Sequence, residues 1–500
     1  MAENFVSRDE AANDLLACAT YLADQIGGSD DRADAVTEVV KQYIERDDVD
    51  TAAALADTVD DPFVRDRLLI MVAQKCAELD DDDYALQLAE AIEEDSMQSM
   101  AREAIALVKA QKGEIETAKD IAASVIHPDQ ILAGIAIKQA EAGNDEAALA
   151  TIEEVDYAGS ATVALLSIAA SKIEKEEFEK AADFLNEAVN AADDIEHDEE
   201  KIRAFIDIAS LYVSAKRADK AIETLEFARE EAESLDNVHR DALLSAVAQG
   251  FMHAGSIDLA DRALDAVTDK TQIATALLNF SRDYWTRNEK QESAEAIDEA
   301  YDVLRSQHEN ETRDSRSKFA LFGSIAAQYA GFEKGEKAIK IAEEIEDDEN
   351  SANALARIAQ ILTSQGSDEL ARTALDAIKT DDSRVAAIFA MSDASAKSDK
   401  DKAASLLDEA VEAIDAIPQT SVKAGAYQSA AEKYLAIGQA EKARDLVTTC
   451  IEQTAEIRDE SQQAVALARL SNFFRSAELE LTDGEKEILK DLVTPKVVMS

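Results

Sequence analysis

The sequence predicts an all-α chain of stacked helical hairpins, and three observations carry that prediction. Glycine supplies 15 and proline 4 of 500 residues, too little turn chemistry for a sheet-rich fold. Alanine supplies 95 residues, close to a fifth of the chain, within a 46 % apolar composition that suffices to build cores. A three-point pattern of small residues then recurs in fixed register along most of the chain.

The pattern is a glycine, an alanine five residues after it and another seven before it. It appears five times, at Gly113/Ala118, Gly143/Ala148, Gly255/Ala260, Gly366/Ala371 and Gly438/Ala443, preceded by Ala106, Ala136, Ala248, Ala359 and Ala431. With the glycine relaxed, Asp47, Asp80, Glu176, Lys216, Asn288, Glu333 and Ser398 take the turn position, and twelve copies result. The place five after the turn is Ala in eleven of the twelve, with Ser293 the exception; the place seven before it is Ala in nine, with Val40, Ser281 and Met391 the exceptions. Apolar residues around each turn recur with helical periodicity, as in Ile135, Ala136 and Ala140. Each copy reads as helix A, a turn and helix B. The left-handed turn residue ends helix A, acidic residues open helix B where the dipole favours them, and small side chains let the axes approach. One hairpin cannot bury its own apolar face, so neighbours must stack.

These three small positions resemble those of the tetratricopeptide repeat family, which also places an aromatic between the first two. Here that aromatic is Tyr43, Tyr212, Phe251, Tyr284, Tyr329 or Tyr434. The resemblance spans about residues 32–459. It implies a right-handed α-solenoid of about twelve antiparallel helix-turn-helix repeats, with helix A lining a concave groove. The family's tryptophan early in helix A is missing, and its proline after helix B is only approximated by Pro62 and Pro128. Its later small residue in helix B persists in the long repeats as Ala188, Ala228, Ala300 and Ala410, whereas short repeats carry Val125, Val155 or Ile378. In the long repeats, the extra residues can lengthen helix B and the following helix A by about one turn each.

The expected organisation is an N-terminal capping helix over 1–31, a first block of repeats over 32–312, a continuous second block over 313–459, and C-terminal capping helices over 460–500. A hinge or protruding loop is expected near 303–316, where residues 306–315 contain no apolar side chain. Ser7 to Glu10 has capping-box spacing and opens a helix to about Ile26, stopped by Gly27 and Gly28. Thr482 to Glu485 opens a final helix to about Val493, stopped by Pro495. Both ends are expected to present a solvated face.

Little in the chain points to chemistry. The five histidines, His127, His197, His239, His253 and His308, form no metal-binding pair. Cys18, Cys76 and Cys450 have no redox or metal spacing, and phosphate-binding glycine loops are absent. Asp80 to Asp83 reads as a helix-start turn rather than a calcium loop, lacking the glycine and distal glutamate; the acidic run 343–349 reads the same way. The expectation is no enzyme, no cofactor and no metal. The polar N-terminus has no signal-peptide pattern, no segment is apolar enough to cross a membrane, and the reduced cysteines suit a cytoplasm. Asn310 to Thr312 matches a glycosylation sequon, read as chance.

The formal net charge is −54, from 105 Asp+Glu against 51 Lys+Arg. Such a chain repels phosphate, which disfavours nucleic acid and anionic membranes. It suits adaptation to high salt, a basic partner, or solubility.

Groove-facing residues of the resembling family lie thirteen, ten, six and three before each turn. Of these 48 positions only seven are charged: Asp34, Lys41, Arg67, Glu103, Arg203, Arg282 and Glu432. Ile137, Leu166, Ile206, Met252, Leu278 and Trp285 are the candidate partner-binding residues. The lysine, arginine and asparagine cluster that clamps a partner's terminal carboxylate is missing. The expected function is a non-catalytic scaffold, adaptor or assembly factor that takes an apolar or helical segment of another protein. An acidic face that sequesters a basic protein, and a regulatory or composite-site subunit of an enzyme, are the alternatives.

Overall fold

Eleven of the twelve expected turn residues adopt the left-handed conformation that ends a helix. The computed structural model describes residues 5–306 and 315–494. In it φ is positive at Gly113, Gly143, Gly255, Gly366 and Gly438, and also at Asp47, Asp80, Glu176, Lys216, Asn288 and Glu333. After each, the next backbone N–H reaches the carbonyl five residues back, as Glu114 N to Lys109 O (2.9 Å) and Arg217 N to Tyr212 O (2.8 Å). This is a Schellman closure, which satisfies carbonyls the helix end would otherwise orphan. The same closure recurs at Glu478, where φ is 53°, a turn the register did not include.

Among the described residues there are 28 α-helices and no strand. The chain forms two compact units, one of Met1–Ala101 with Ala326–Ser500 and one of Arg102–Ile325. The expected blocks 32–312 and 313–459 do not follow this division. The expected hinge, the sequon at Asn310 and Pro495 lie at or within residues 307–314 and 495–500, outside the described residues.

The first unit opens with α1 (Arg8–Ala11) and α2 (Leu15–Gln25). Its hairpins are α3 (Ser29–Glu45) with α4 (Val49–Ala56), and α5 (Pro62–Glu78) with α6 (Asp82–Ala91). The boundary falls in α7 (Asp95–Gln111), which leads to α8 (Ile115–Ala122). The second unit continues with α9 (Asp129–Glu141) and α10 (Asp145–Ile152), then α11 (Ala158–Glu174) and α12 (Phe178–Asp193). Next come α13 (Asp198–Ser214) and α14 (Ala218–Ser234), α15 (Arg240–His253) and α16 (Ile257–Asp265), and α17 (Lys270–Thr286) and α18 (Lys290–Arg305). The second boundary falls in α19 (Ser315–Gly331). The first unit resumes through α20 (Gly335–Glu343), α21 (Asp348–Ser364), α22 (Asp368–Asp376), α23 (Asp381–Ala396) and α24 (Lys400–Ile414). It ends with α25 (Thr420–Ala436), α26 (Ala440–Ala455), α27 (Glu460–Ser476) and α28 (Asp483–Val493).

The small positions sit where the helices touch. Ala118, Ala148 and Ala260 are fully buried, Ala371 and Ala443 nearly so, and Ala106, Ala136, Ala248, Ala359 and Ala431 lie opposite them in the core. In the second unit Ala106 and Ala110 pack with Ala118, Ala122, Ile131 and Ile135. A methyl group at each contact lets whole backbones approach, and dispersion then accumulates over many atoms.

Ser398 departs from the register. Ser392 Oγ donates to the Ala403 carbonyl (3.1 Å), eleven residues on. The matching bond in the eighth repeat spans twelve. The eleventh turn is one residue shorter, and the residue it lacks is the left-handed one. Ser392, not Met391, therefore holds the small-residue position.

Two further expectations change. Among the described residues the extra length of the long repeats enters helix B: α12, α14, α18 and α24 have 15 to 17 residues against 8 to 10 in short repeats, while helix A stays mostly at 17. Val125, Val155 and Ile378 consequently lie beyond the ends of α8, α10 and α22. The N-terminal helix also breaks. The Ser7–Glu10 capping box forms, but Asp14 starts a second helix by accepting from Ala17 N.

The two end segments pack on one another. Within the first unit α27 packs on both α2 and α3, and α28 touches α1, α2 and α26. Arg475 Nη1 donates to the Glu45 carbonyl (2.5 Å) and Nη2 to its carboxylate (3.1 Å). No described helix is long and apolar enough to cross a membrane.

Candidate functional site

The candidate groove is built from one face of each helix A. All six predicted residues belong to the second unit, and the structure divides them. Ile137 on α9, Leu166 on α11, Ile206 on α13 and Trp285 on α17 are half-buried. Val163, one turn before Leu166, is 62 % exposed. Met252 is fully buried and Leu278 is 3 % exposed, so both belong to the core and leave the candidate site. Each helix A here packs on the next, α11 on α13, α13 on α15 and α15 on α17, and α17 makes its most extensive contact with α18. That cover, not the periodicity of one helix, decides which flank stays open.

Trp285 sits in the last turn of α17, with Lys290 Nζ 5.1 Å from its ring centroid, a cation–π geometry. Beside it Asp283 pairs with His253 Nε2 at 3.0 Å, tying α17 to α15. The Asp283 hydrogen bond raises the His253 pKa. Glu103, the charged groove position on α7, is half-buried, and burial raises its carboxyl pKa. The retained line of Ile137, Leu166 and Ile206 offers apolar contact without nucleophile or acid–base chemistry. Among the described residues no group of three His, Cys, Asp or Glu has metal-holding geometry. Asp80 and Asp81 serve the turn, one left-handed, the other accepting from Tyr84 N. The three cysteines are buried and free.

Two recurrent positions escaped the sequence reading. Fifteen before the turn stand Arg32, Arg65, Lys201, Arg240, Lys318, Lys423 and, with the eleventh turn corrected, Arg384. That is seven of thirteen positions in a chain where cations are 51 of 500, and the enrichment was visible without a structure. Lys201 donates to Asp193 O (2.7 Å), Lys423 to Asp415 O (2.9 Å), Arg240 to Ala266 O (3.1 Å) and Arg32 to Thr58 O (2.6 Å). They cap the carbonyl end of a helix B. Four before the turn, where aromatics were read, Lys109 and Lys172 are also buried. Lys172 Nζ reaches Asp145 (2.6 Å) and the Ala140 carbonyl, and a buried ammonium needs such partners.

No family model and no curated protein matches the chain. Among solved structures it is similar to Ton1535 from Thermococcus onnurineus NA1, at 16 % identity and a TM-score of 0.26 over 71 % of this chain and 98 % of that one. BtubC (BKLC) from P. vanneervenii matches at 17 % identity and 0.26, over 47 % and 89 % of the two chains. The apo form of the quorum sensor NprR from B. thuringiensis matches at 14 % and 0.25, over 64 % and 97 %. At these scores the likenesses say nothing about what the chain does.

Proposed function

We propose that the chain is a non-catalytic protein–protein interaction scaffold or assembly factor, working in the cytoplasm, that takes an apolar or helical segment of a partner. The observation that carries this reading is the apolar surface left open after the hairpins have packed. Ile137, Leu166 and Ile206 recur on successive A helices with Val163 exposed beside them. Apolar side chains at such spacing receive an amphipathic segment by filling its pockets. The small-residue register, similar to that of tetratricopeptide repeats, agrees with this role.

A second reading rests on charge. Many of the described cations are drawn into helix-end contacts and ion pairs, as Lys201, Lys423, Lys433 and Lys442 are, and carboxylates outnumber cations two to one. Such a surface would sequester a basic protein.

Affinity capture of the full chain at native salt, with mass spectrometry, tests both. Wild type is compared with Leu166→Asp and Trp285→Ala. Under the groove reading both variants lose the same partner while keeping the helical circular-dichroism signal. Retention by both variants removes the groove. A basic partner that elutes with salt and ignores both substitutions establishes the second reading. Recovery of no protein partner by the wild type overturns the scaffold reading.

A further inference from the structure

The place where α3, α25, α26 and α27 meet in the first unit is not filled by side chains. A solvent-open cavity of about 470 Å³ remains there, within the roughly 300–1,000 Å³ range of small-molecule sites. One wall is a single face of α3, carrying Asp34, Glu38 and Lys41. They are four and three residues apart, so they line up along the helix. The facing wall is α27, which presents Arg469 and Gln462. The floor includes Thr454 of α26.

The charges on these walls are balanced but not locked together. Arg469 Nε lies 3.5 Å from Glu38, and Lys41 Nζ lies 3.9 Å from the same carboxylate, both longer than a formed hydrogen bond. Asp34 has no ion-pair partner among the described residues. Thr454 is 1 % exposed, and its hydroxyl is sealed beneath this wall against the Cys450 thiol. The adjacent thiol of Cys450 spends its proton on the Ala424 carbonyl, 3.4 Å away.

We propose that this cavity binds a free α-amino acid. Its carboxylate pairs with Arg469 and Lys41, and its ammonium pairs with Asp34. Asp34 and Glu38 stand one turn apart, about 6 Å of rise. Arg469 lies beside Glu38, so a cation and the free carboxylate of Asp34 stand about one turn apart along the wall. A ligand of one sign would leave either Asp34 or the cations uncompensated. Ala424, Val465 and Ala466 give the side chain an apolar surface. Asp34 and Lys41 are groove-register positions, but the site lies in the first unit and uses none of the six partner-binding candidates, all of which belong to the second, so it stands apart from the scaffold reading.

The test uses the full chain and the twenty L-amino acids, each at millimolar concentration, by thermal shift and then calorimetric titration. At least one should raise Tm and bind. Its N-acetyl and methyl-ester derivatives should fail, since each removes one charge. Arg469→Gln and Asp34→Asn should each weaken binding about ten-fold or more, as loss of a charge-assisted hydrogen bond does. Arg475→Gln is the control. It breaks the Arg475–Glu45 contact between α27 and α3 without touching this cavity, and binding should not change. The proposal is overturned if no amino acid binds, if the blocked derivatives bind as well, or if Arg475→Gln weakens binding as much as Arg469→Gln.

Discussion

Ser281 and Ser293 exchange hydrogen bonds across the α17–α18 hairpin, each hydroxyl donating to the other's backbone carbonyl at 2.7 Å. They occupy the two positions that are alanine in most other repeats, so the same close approach is held by polar contacts. Both are fully buried. Replacing either serine by alanine should cost about 1 kcal/mol, the net worth of one such bond. The double replacement recreates the alanine pair of the other repeats and should cost less than the two singles together. Urea unfolding of the three variants measures this; strictly additive losses would mean that the hydroxyls act independently.

The left-handed turns give a second prediction. Glu176 holds φ at 59° and Gly143 at 84°, a conformation that costs a residue with a side chain about 1–2 kcal/mol and glycine almost nothing. Glu176→Gly should raise the melting temperature, and Gly143→Ala should lower it. Ser398→Gly should also lower it, because that turn has no left-handed residue to relieve and glycine adds chain entropy.

Acid should loosen the C-terminal helix first. Glu485 is fully buried. Burial alone would push its carboxyl up, but Arg444 grips both oxygens at 2.6 Å, and the Thr482 backbone and Thr448 hydroxyl add bonds, bringing the pKa down to about 2. A carboxyl depressed in the folded state stabilises above its unfolded value near 4.5 and loses that contribution as pH falls towards 2. The contribution is on the order of 2–3 kcal/mol. The stability gap between wild type and Glu485→Gln should be full at pH 6 and shrink steadily below pH 4.5. A gap independent of pH would show that the ion pair contributes nothing.

Salt should stabilise. Ion pairs join neighbouring repeats, among them Lys75–Asp47 (2.7 Å), Lys433–Asp393 (2.6 Å) and Lys442–Asp408 (2.5 Å). These have exposed partners and are worth at most about 1 kcal/mol each. The self-repulsion of a net charge of −54 acts over the whole surface and is screened by the same ions. A KCl series should therefore raise Tm. A flat or falling series would give the ion pairs the larger share.

The turns were legible because each is a local event. A left-handed residue, a small residue and a helix start lie within a few positions of one another, and Gly113 or Glu333 could be placed without knowing their neighbours. Ser398 misled because one missing residue shifts helix A against helix B, and only the Ser392–Ala403 bond reveals it. The groove was half legible. Leu166 and Ile206 follow from the face of their own helix, whereas the burial of Met252 and Leu278 depends on how closely adjacent helices cover that face. The pairing of α27 with α2 and α3 left no local trace, since no pattern within either segment names a partner several hundred residues away.

The bond between Arg475 and the Glu45 carbonyl joins residues 430 positions apart. Synthesis proceeds at roughly 5–20 residues per second, so α2 and α3 leave the ribosome about 20–90 s before the helix that covers them exists. During that interval their apolar flank is exposed to the cell, long enough for a chaperone or a neighbouring nascent chain to take the place reserved for α27.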